Sequence, residues 1–274
     1  MNAFTIDLEK CNKDGICALD CPANVIQLDS PGEVPHPSQD FEDYCLECGH
    51  CTAVCPTGAF SLNWLSPGQC KPIHKELVLS EQQTEQFLRS RRSIRHFKDK
   101  PVEDDKLEKL LEIACYAPTA KNNQPWHWIV VREAAETRRY AAMVIEWMRS
   151  VIKKSPEQAE IRGFPRVVSA WDGGEERICR GAPHIIVVHC EKDYGFGAED
   201  SALALSYLEL YAPAIGLGSC WGGYFYSAVN AYPKLFEALG LPADHRACGA
   251  VMVGYPQLRY QRMPLRKKPL VHYL

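Results

Sequence analysis

The sequence predicts an α+β protein in two parts, and three observations predict it. Seven of its 13 cysteines fall between Cys11 and Cys55, in a stretch that repeats itself. The next segment, Leu65 to Glu76, carries two prolines and a glycine without hydrophobic periodicity, which reads as a linker. Beyond it, β-branched runs intermix with amphipathic segments of helical period. The boundaries follow as 1–65, a linker over 66–82, and 83–274.

The repeat is exact in spacing. Cys11, Asp14, Cys17, Cys21 and Pro22 lie 34 residues before Cys45, Cys48, Cys51, Cys55 and Pro56. Ile26-Gln27-Leu28 falls over Phe60-Ser61-Leu62 at the same offset, as an internal duplication would leave it. In the second part, Ser80 and Gln83 form a capping-box signature that opens a helix. Leu107, Leu110, Leu111 and Ala114 share one helical face, and Glu103, Asp104 and Asp105 occupy the first turn, where the helix dipole favours acids. Helices are further expected over 133–154 and 200–212, and buried strands at 129–131, 185–188 and 251–253. The apolar stretch from Leu203 to Phe225 contains Glu209, Pro213 and four glycines. It falls short of the ~20 uninterrupted apolar residues of a membrane span and reads as a buried helix followed by a glycine-rich turn.

Composition removes several function classes. A net charge of -3 and a pI near 6.3 give no electrostatic case for nucleic acid or an anionic membrane. The N-terminus lacks a basic start with an apolar run, so a soluble cytoplasmic protein is expected. Clustered cysteines, odd in number, argue for metal and against a disulfide framework.

The second cysteine copy, CLECGHCTAVCP, has the C-x2-C-x2-C-x3-CP run that holds 4Fe–4S clusters, with the fourth cysteine serving the sister cluster. A structural zinc site also uses C-x2-C pairs, but explains neither the third cysteine nor the duplication. Over about residues 1–65 the chain resembles two-cluster bacterial ferredoxins. That resemblance assigns Cys45, Cys48, Cys51 and Cys21 to one cluster, and Cys11, Cys17 and Cys55 to three corners of the other. Asp14 stands at the remaining corner. A carboxylate is a harder ligand than thiolate. Three readings stay open there: Asp14 on the fourth iron, water or hydroxide on it, or a 3Fe–4S cluster with Asp14 facing solvent. Ferredoxin-like proteins tolerate aspartate at this place.

In the second part, Arg91, Arg92 and Arg95 supply planar donors around Ser93, suited to an anion. Alone, such a run reads as a solvated helix end. In the order RRSIRHF, APTAKNNQPW, GLGSCWGG and VGYP with a basic tail, it resembles the nitroreductase-like flavoproteins over about residues 83–274. The resemblance implies an α+β fold, homodimers and FMN. It implies flavin contacts from Arg91, Arg92, Ser93 and Arg95; from Asn122; and from Pro118 and Thr119, where the family has Pro-Ser. It adds Leu217, Gly218 and Ser219, where glycine permits close approach to the ring, and Arg266 with Lys267 in the tail, Arg262 being a further possibility in that register. Cations such as Arg95 or Lys121 beside the flavin would stabilise its reduced form. Cys220 and Trp221 read as packing residues, and His127 and His184 as core or edge histidines without catalytic duty. No nucleophile–His–acid set, Walker loop or GxGxxG fingerprint is present.

The expected function is an iron–sulfur flavoprotein oxidoreductase. Electrons would pass from a ferredoxin-like donor through two clusters to FMN and on to a small electrophile: a nitroaromatic, quinone or activated alkene. The alternatives are an NAD(P)H-dependent enzyme sending electrons outward to a protein acceptor, and a redox sensor. The segment 155–180 is placed where a mobile cover over the flavin would sit.

Overall fold

A computed structural model describes residues 3–274, which divide into two compact units. The first comprises residues up to Val78 together with Lys121–Asn123, and the second comprises Leu79–Ala120 and Gln124–Leu274.

In the first unit the order is β1 (Phe4–Ile6), α1 (Ile16–Leu19), β2 (Ile26–Gln27), β3 (His36–Pro37), α2 (Phe41–Tyr44), α3 (His50–Val54) and β4 (Phe60–Leu62). β1 and β4 pair antiparallel, Phe4 opposite Leu62, and β2 pairs with β3. The duplication is written into the backbone. α1 and α3 each follow a glycine, Gly15 and Gly49, with φ of 72° in both. Lys13 and Glu47 likewise share positive φ, as do Asn24 and Gly58. Each pair keeps the offset of the cysteines. A side chain at Gly15 would also press on Leu28, and one at Gly49 on Leu65, so packing and dihedral both require glycine at these two turns. Phe4, Phe41 and Phe60 pack with Val25, Ile26 and Leu62 into a small core that includes Cys17 and Cys51.

The second unit is built on an antiparallel sheet ordered β5 (His127–Val131), β6 (His184–Glu191), β8 (His245–Gly254) and β7 (Gly218–Trp221). Its helices are α4 (Glu81–Ser90), α5 (Asp104–Ala114), α6 (Ala134–Lys154), α7 (Pro156–Ile161), α8 (Phe164–Asp172), α9 (Gly197–Tyr211), α10 (Gly223–Ala231) and α11 (Pro233–Ala238). Side chains alternate between the sheet's faces. Ile185, Val187 and Ala250 join α6, α8, α10 and α11, while Ile186, Val188 and Val251 join α5 and α9. Both faces being covered, β6 is buried along nearly its whole length, so short β-branched runs betrayed these strands in the sequence.

The capping box at Ser80 forms as expected: Ser80 N donates to Gln83 Oε1 at 2.9 Å, and Gln83 N donates to Ser80 Oγ at 3.3 Å. Two expectations need correction. In Leu203–Phe225 the buried helix forms as part of α9, which ends at Tyr211, but the glycine-rich run forms edge strand β7 and not a turn. Backbone pairing of Ser219 with Val253 and Trp221 with Val251 decides this, a partnership no local pattern contains. Segment 155–180 is no loose cover either: it folds into α7 and α8 and buries Ala159, Phe164, Val167 and Val168 in the core.

At one end of the sheet, His127, His189 and His245 cluster, with ring centroids 4.7–5.4 Å apart. His189 Nδ1 lies 2.9 Å from His245 Nδ1, so one of the two rings must be the acceptor. Burial, then the neighbouring His245 and His127, pull the His189 pKa down to about 4. An unfolded histidine titrates near 6.5, so below that pH the unfolded chain takes up a proton that the folded one refuses. Stability is therefore complete above pH 6.5 and declines as pH falls toward 4. Between pH 7 and 5 the expected loss is about 2 kcal/mol. Denaturant unfolding followed by tryptophan fluorescence at the two pH values checks this, and His189→Phe is expected to flatten the slope.

Candidate functional site

The first unit brings cysteines of the two copies together. Cys21 lines one cavity with Cys45, Cys48 and Cys51, and Val25, Ile26, Phe41 and Leu62 supply apolar walls. The four residues are those that the crossover rule groups. Burial, then the adjacent thiol groups, set the chemistry. Burial pushes Cys51 up to about 12, and Cys45 is raised by burial with Cys48 and Cys21 adding to it. Cys17 is raised by burial, with Cys55 and Asp14 as its electrostatic neighbours, which groups the second set. Burial also acts on Cys55, but hydrogen bonds from Thr57 Oγ1 at 3.6 Å and Ala59 N at 3.3 Å outweigh it and lower the pKa.

Among the described residues no three His, Cys, Asp or Glu side chains converge tightly enough for a single metal ion. Sulfurs that surround a cavity, instead of meeting at a point, fit a multi-iron cage better than tetrahedral zinc. Asp14 is exposed, and its Oδ1 accepts a hydrogen bond from Ile16 N at 3.2 Å, tying the carboxylate to the start of α1. That position is also where a carboxylate meets the positive helix end.

In the second unit, residues 91–95 run against β7, and Ile94 N donates to Ser219 O at 2.8 Å. Two separate cavities adjoin this segment. Arg91, Arg92, Leu217, Gly218 and Ser219 line one, together with Glu209 and Tyr260. Arg95 lines the other, with Cys220, Trp221 and Gly223. The expected flavin contacts are thus divided between two cavities. In the first, Arg91 Nη1 lies 3.7 Å from Glu209 Oε1, and Ser219 Oγ donates to the same oxygen at 3.3 Å. Burial raises the Glu209 pKa, partly offset by Arg91 and Ser219. Arg92 lies 5.5 Å from the Tyr260 ring centroid, and its buried Nε has no partner. An orphaned donor of that kind fits an anionic ligand.

The other expected contacts lie elsewhere. Thr119 Oγ1 accepts from Gln124 N at 3.1 Å and braces its own turn beside exposed Pro118. Asn122 Nδ2 donates to Leu46 O at 3.2 Å and Glu47 O at 3.1 Å, within the first unit. Its amide thus has two backbone partners in the first unit. Arg266 and Lys267 are exposed in the tail, as is Arg262. His184 is structural: buried, its Nε2 accepts from Val102 N at 2.8 Å. Sequence reading missed the basic lining contributed by Arg162, Arg177 and Arg180, since nothing local links these three to Arg95.

A duplicated thiolate module joined to a covered antiparallel sheet with guanidinium-lined cavities defines a cofactor-binding protein of the α+β class. The chain belongs to the nitroreductase family, whose profile matches residues 88–255, and the 4Fe-4S dicluster domain profile matches residues 5–59. A protein of Methanothermobacter thermautotrophicus named "Putative NADH dehydrogenase/NAD(P)H nitroreductase" is 27% identical over 201 residues, covering 71% of this chain and 88% of its own. One of the same name from Archaeoglobus fulgidus is 30% identical over 176 residues, covering 62% and 84%. In fold the chain is similar to a nitroreductase with bound FMN from Desulfitobacterium hafniense, with a TM-score of 0.58 and 23% identity over 72% of this chain and 100% of that one. A second such structure, from Bacteroides fragilis, gives 0.55 and 22% over 71% and 100%. No helix among the described residues is long and apolar enough to cross a membrane.

Proposed function

We propose that this chain is an iron–sulfur flavoprotein oxidoreductase that takes electrons from a ferredoxin-like donor and reduces a small planar electrophile, such as a nitroaromatic, quinone or activated alkene, in the cytoplasm. When bound, the clusters supply one-electron transfer and FMN supplies the pairing of electrons for the substrate. The observation that carries the reading is the cavity joining Cys21 to Cys45, Cys48 and Cys51, in one chain with a nitroreductase-family domain.

The chain's own residues divide the work. Cys21, Cys45, Cys48 and Cys51 would hold one cluster, and Cys11, Cys17, Cys55 and Asp14 the other. Arg91, Arg92, Ser93 and Arg95 would hold FMN against Leu217–Ser219, with Pro118, Thr119, Asn122, Arg266 and Lys267 completing its contacts. The unpartnered Arg92 Nε supports this, as does the positive charge of Arg95, which would favour negative charge on the ring. A homodimer is supported by apolar surface left uncovered. α4 buries no residue, exposing Phe87 and Leu88, and the tail exposes Leu265, Leu270 and Tyr273.

The names of the relatives favour NAD(P)H as an alternative donor. Anaerobic stopped-flow spectra with reduced ferredoxin, NADH and NADPH decide between them, on protein whose iron, acid-labile sulfide and flavin have been measured. Fast bleaching of the flavin by reduced ferredoxin is expected. Bleaching by a nicotinamide alone would reverse the assigned direction, and a colourless, iron-free protein would end the proposal.

A further inference from the structure

The cavity beside Arg95 holds more charge than a flavin contact needs. Its volume is about 370 Å³, within the range of small-molecule sites. Four guanidiniums line it, from Arg95, Arg162, Arg177 and Arg180, and no carboxylate does. Arg177 is paired with Glu175, whereas Arg95, Arg162 and Arg180 form no ion pair among the described residues. Like charges gathered around one space repel each other, and a bound anion removes that cost.

The wall that presents them is built, not incidental. Glu176 Oε1 accepts hydrogen bonds from Ile178 N at 2.6 Å and Cys179 N at 2.7 Å, and its Oε2 accepts from Gly181 N at 2.9 Å. One carboxylate thereby folds the 176–181 loop around itself. Ile178 and Cys179 are anchored in the core, and Arg180 is held at a left-handed φ of 58°. A non-glycine residue in that region persists only where its surroundings enforce it. Trp221 and Tyr224, both partly exposed, add flat aromatic surface. The cavity also meets α10 at Gly223, its first residue, where no side chain caps the helix.

We infer that this cavity is a substrate subsite that binds the carboxylate of a flat aromatic molecule, an inference that rests on the proposed reduction of a small planar electrophile. Guanidinium forks match a carboxylate in two-point hydrogen bonds, and the aromatic walls match its ring. A bare phosphate would use the first feature and leave the second idle.

The test is calorimetric titration of the purified protein, loaded with iron and flavin, with 4-nitrobenzoate and with its methyl ester. The carboxylate is expected to bind at least about tenfold more tightly than the ester, a margin that charge-assisted bonds supply. Arg162→Gln and Arg180→Gln are each expected to cut that preference about tenfold or more, with flavin content per chain as in the parent. Equal binding of acid and ester overturns the inference. So does loss of flavin from the arginine variants with the preference intact, which would make the cavity a cofactor phosphate site. Titration reads binding without turnover, so a loaded protein that prefers the acid but reduces no acceptor would sink the proposed function and leave the subsite standing.

Discussion

Replacing Cys48 and Cys51 together by alanine is expected to remove about half of the iron and acid-labile sulfide and to slow flavin reduction by reduced ferredoxin by about a hundredfold or more. Cys48 and Cys51 share a cavity with Cys21 and Cys45, where apolar Val25, Ile26, Phe41 and Leu62 stand beside His50. His50 is the one nitrogen-bearing side chain on that lining, and a single imidazole cannot stand in for two lost sulfurs. The second group, Cys11, Cys17 and Cys55, keeps its ligands, so its EPR signal is expected to survive. Cys115→Ala is the control: that thiol is exposed in the other unit, and its loss is expected to leave iron unchanged. Iron and sulfide analysis with low-temperature EPR reads both results. Full iron retention in the double variant would mean that Cys48 and Cys51 hold no cluster.

The second large effect is expected at Gly218. Sequence reading gives this glycine the task of letting the backbone approach a flavin. The structure supplies another reason. A methyl group there would fall 2.3 Å from Ile94 Cγ1, 3.0 Å from Ile94 Cβ and 3.2 Å from Ile94 Cγ2. Ile94 sits between Ser93 and Arg95, and its N–H is bonded to Ser219 O. Gly218→Ala must therefore push residues 93–95 off β7. An expected stability loss of about 1–3 kcal/mol follows from overpacking. Flavin retention is expected to fall at least about tenfold, since the displaced segment carries the proposed contacts. Ile94→Ala added to Gly218→Ala removes the approaches to Cγ1 and Cγ2, leaving only the 3.0 Å approach to Cβ. Partial recovery of flavin binding in that double variant, measured by equilibrium dialysis, supports the packing explanation. No recovery would return the glycine to the role of admitting the cofactor.

The two units were unequally legible. Cysteine spacing carried over into backbone form, since Gly15 and Gly49 adopt the same φ and each starts a short helix. α5, α6 and the strands of the covered sheet were readable because burial imposes a period or a run on neighbouring residues. β7 was not readable, because its four residues become a strand only through pairing with β8. Asn122 illustrates a different gap. The hydrogen-bond partners of its amide, Leu46 and Glu47, lie over 70 residues away in sequence, so no local pattern announces them.

What the sequence determined by itself was the class of cofactor chemistry and the two-part plan, because thiolate ligand runs, capping boxes and buried strands are local and each leaves its mark within a few residues. What only the tertiary structure decided was which side chains share a space: the division of Arg91 and Arg92 from Arg95 into separate cavities, and the meeting of Arg95 with Arg162, Arg177 and Arg180 around one cavity. Charges converge there because a sheet edge, a helix start and a loop wrapped on Glu176 are packed together, and packing between distant segments leaves no periodic trace in the chain.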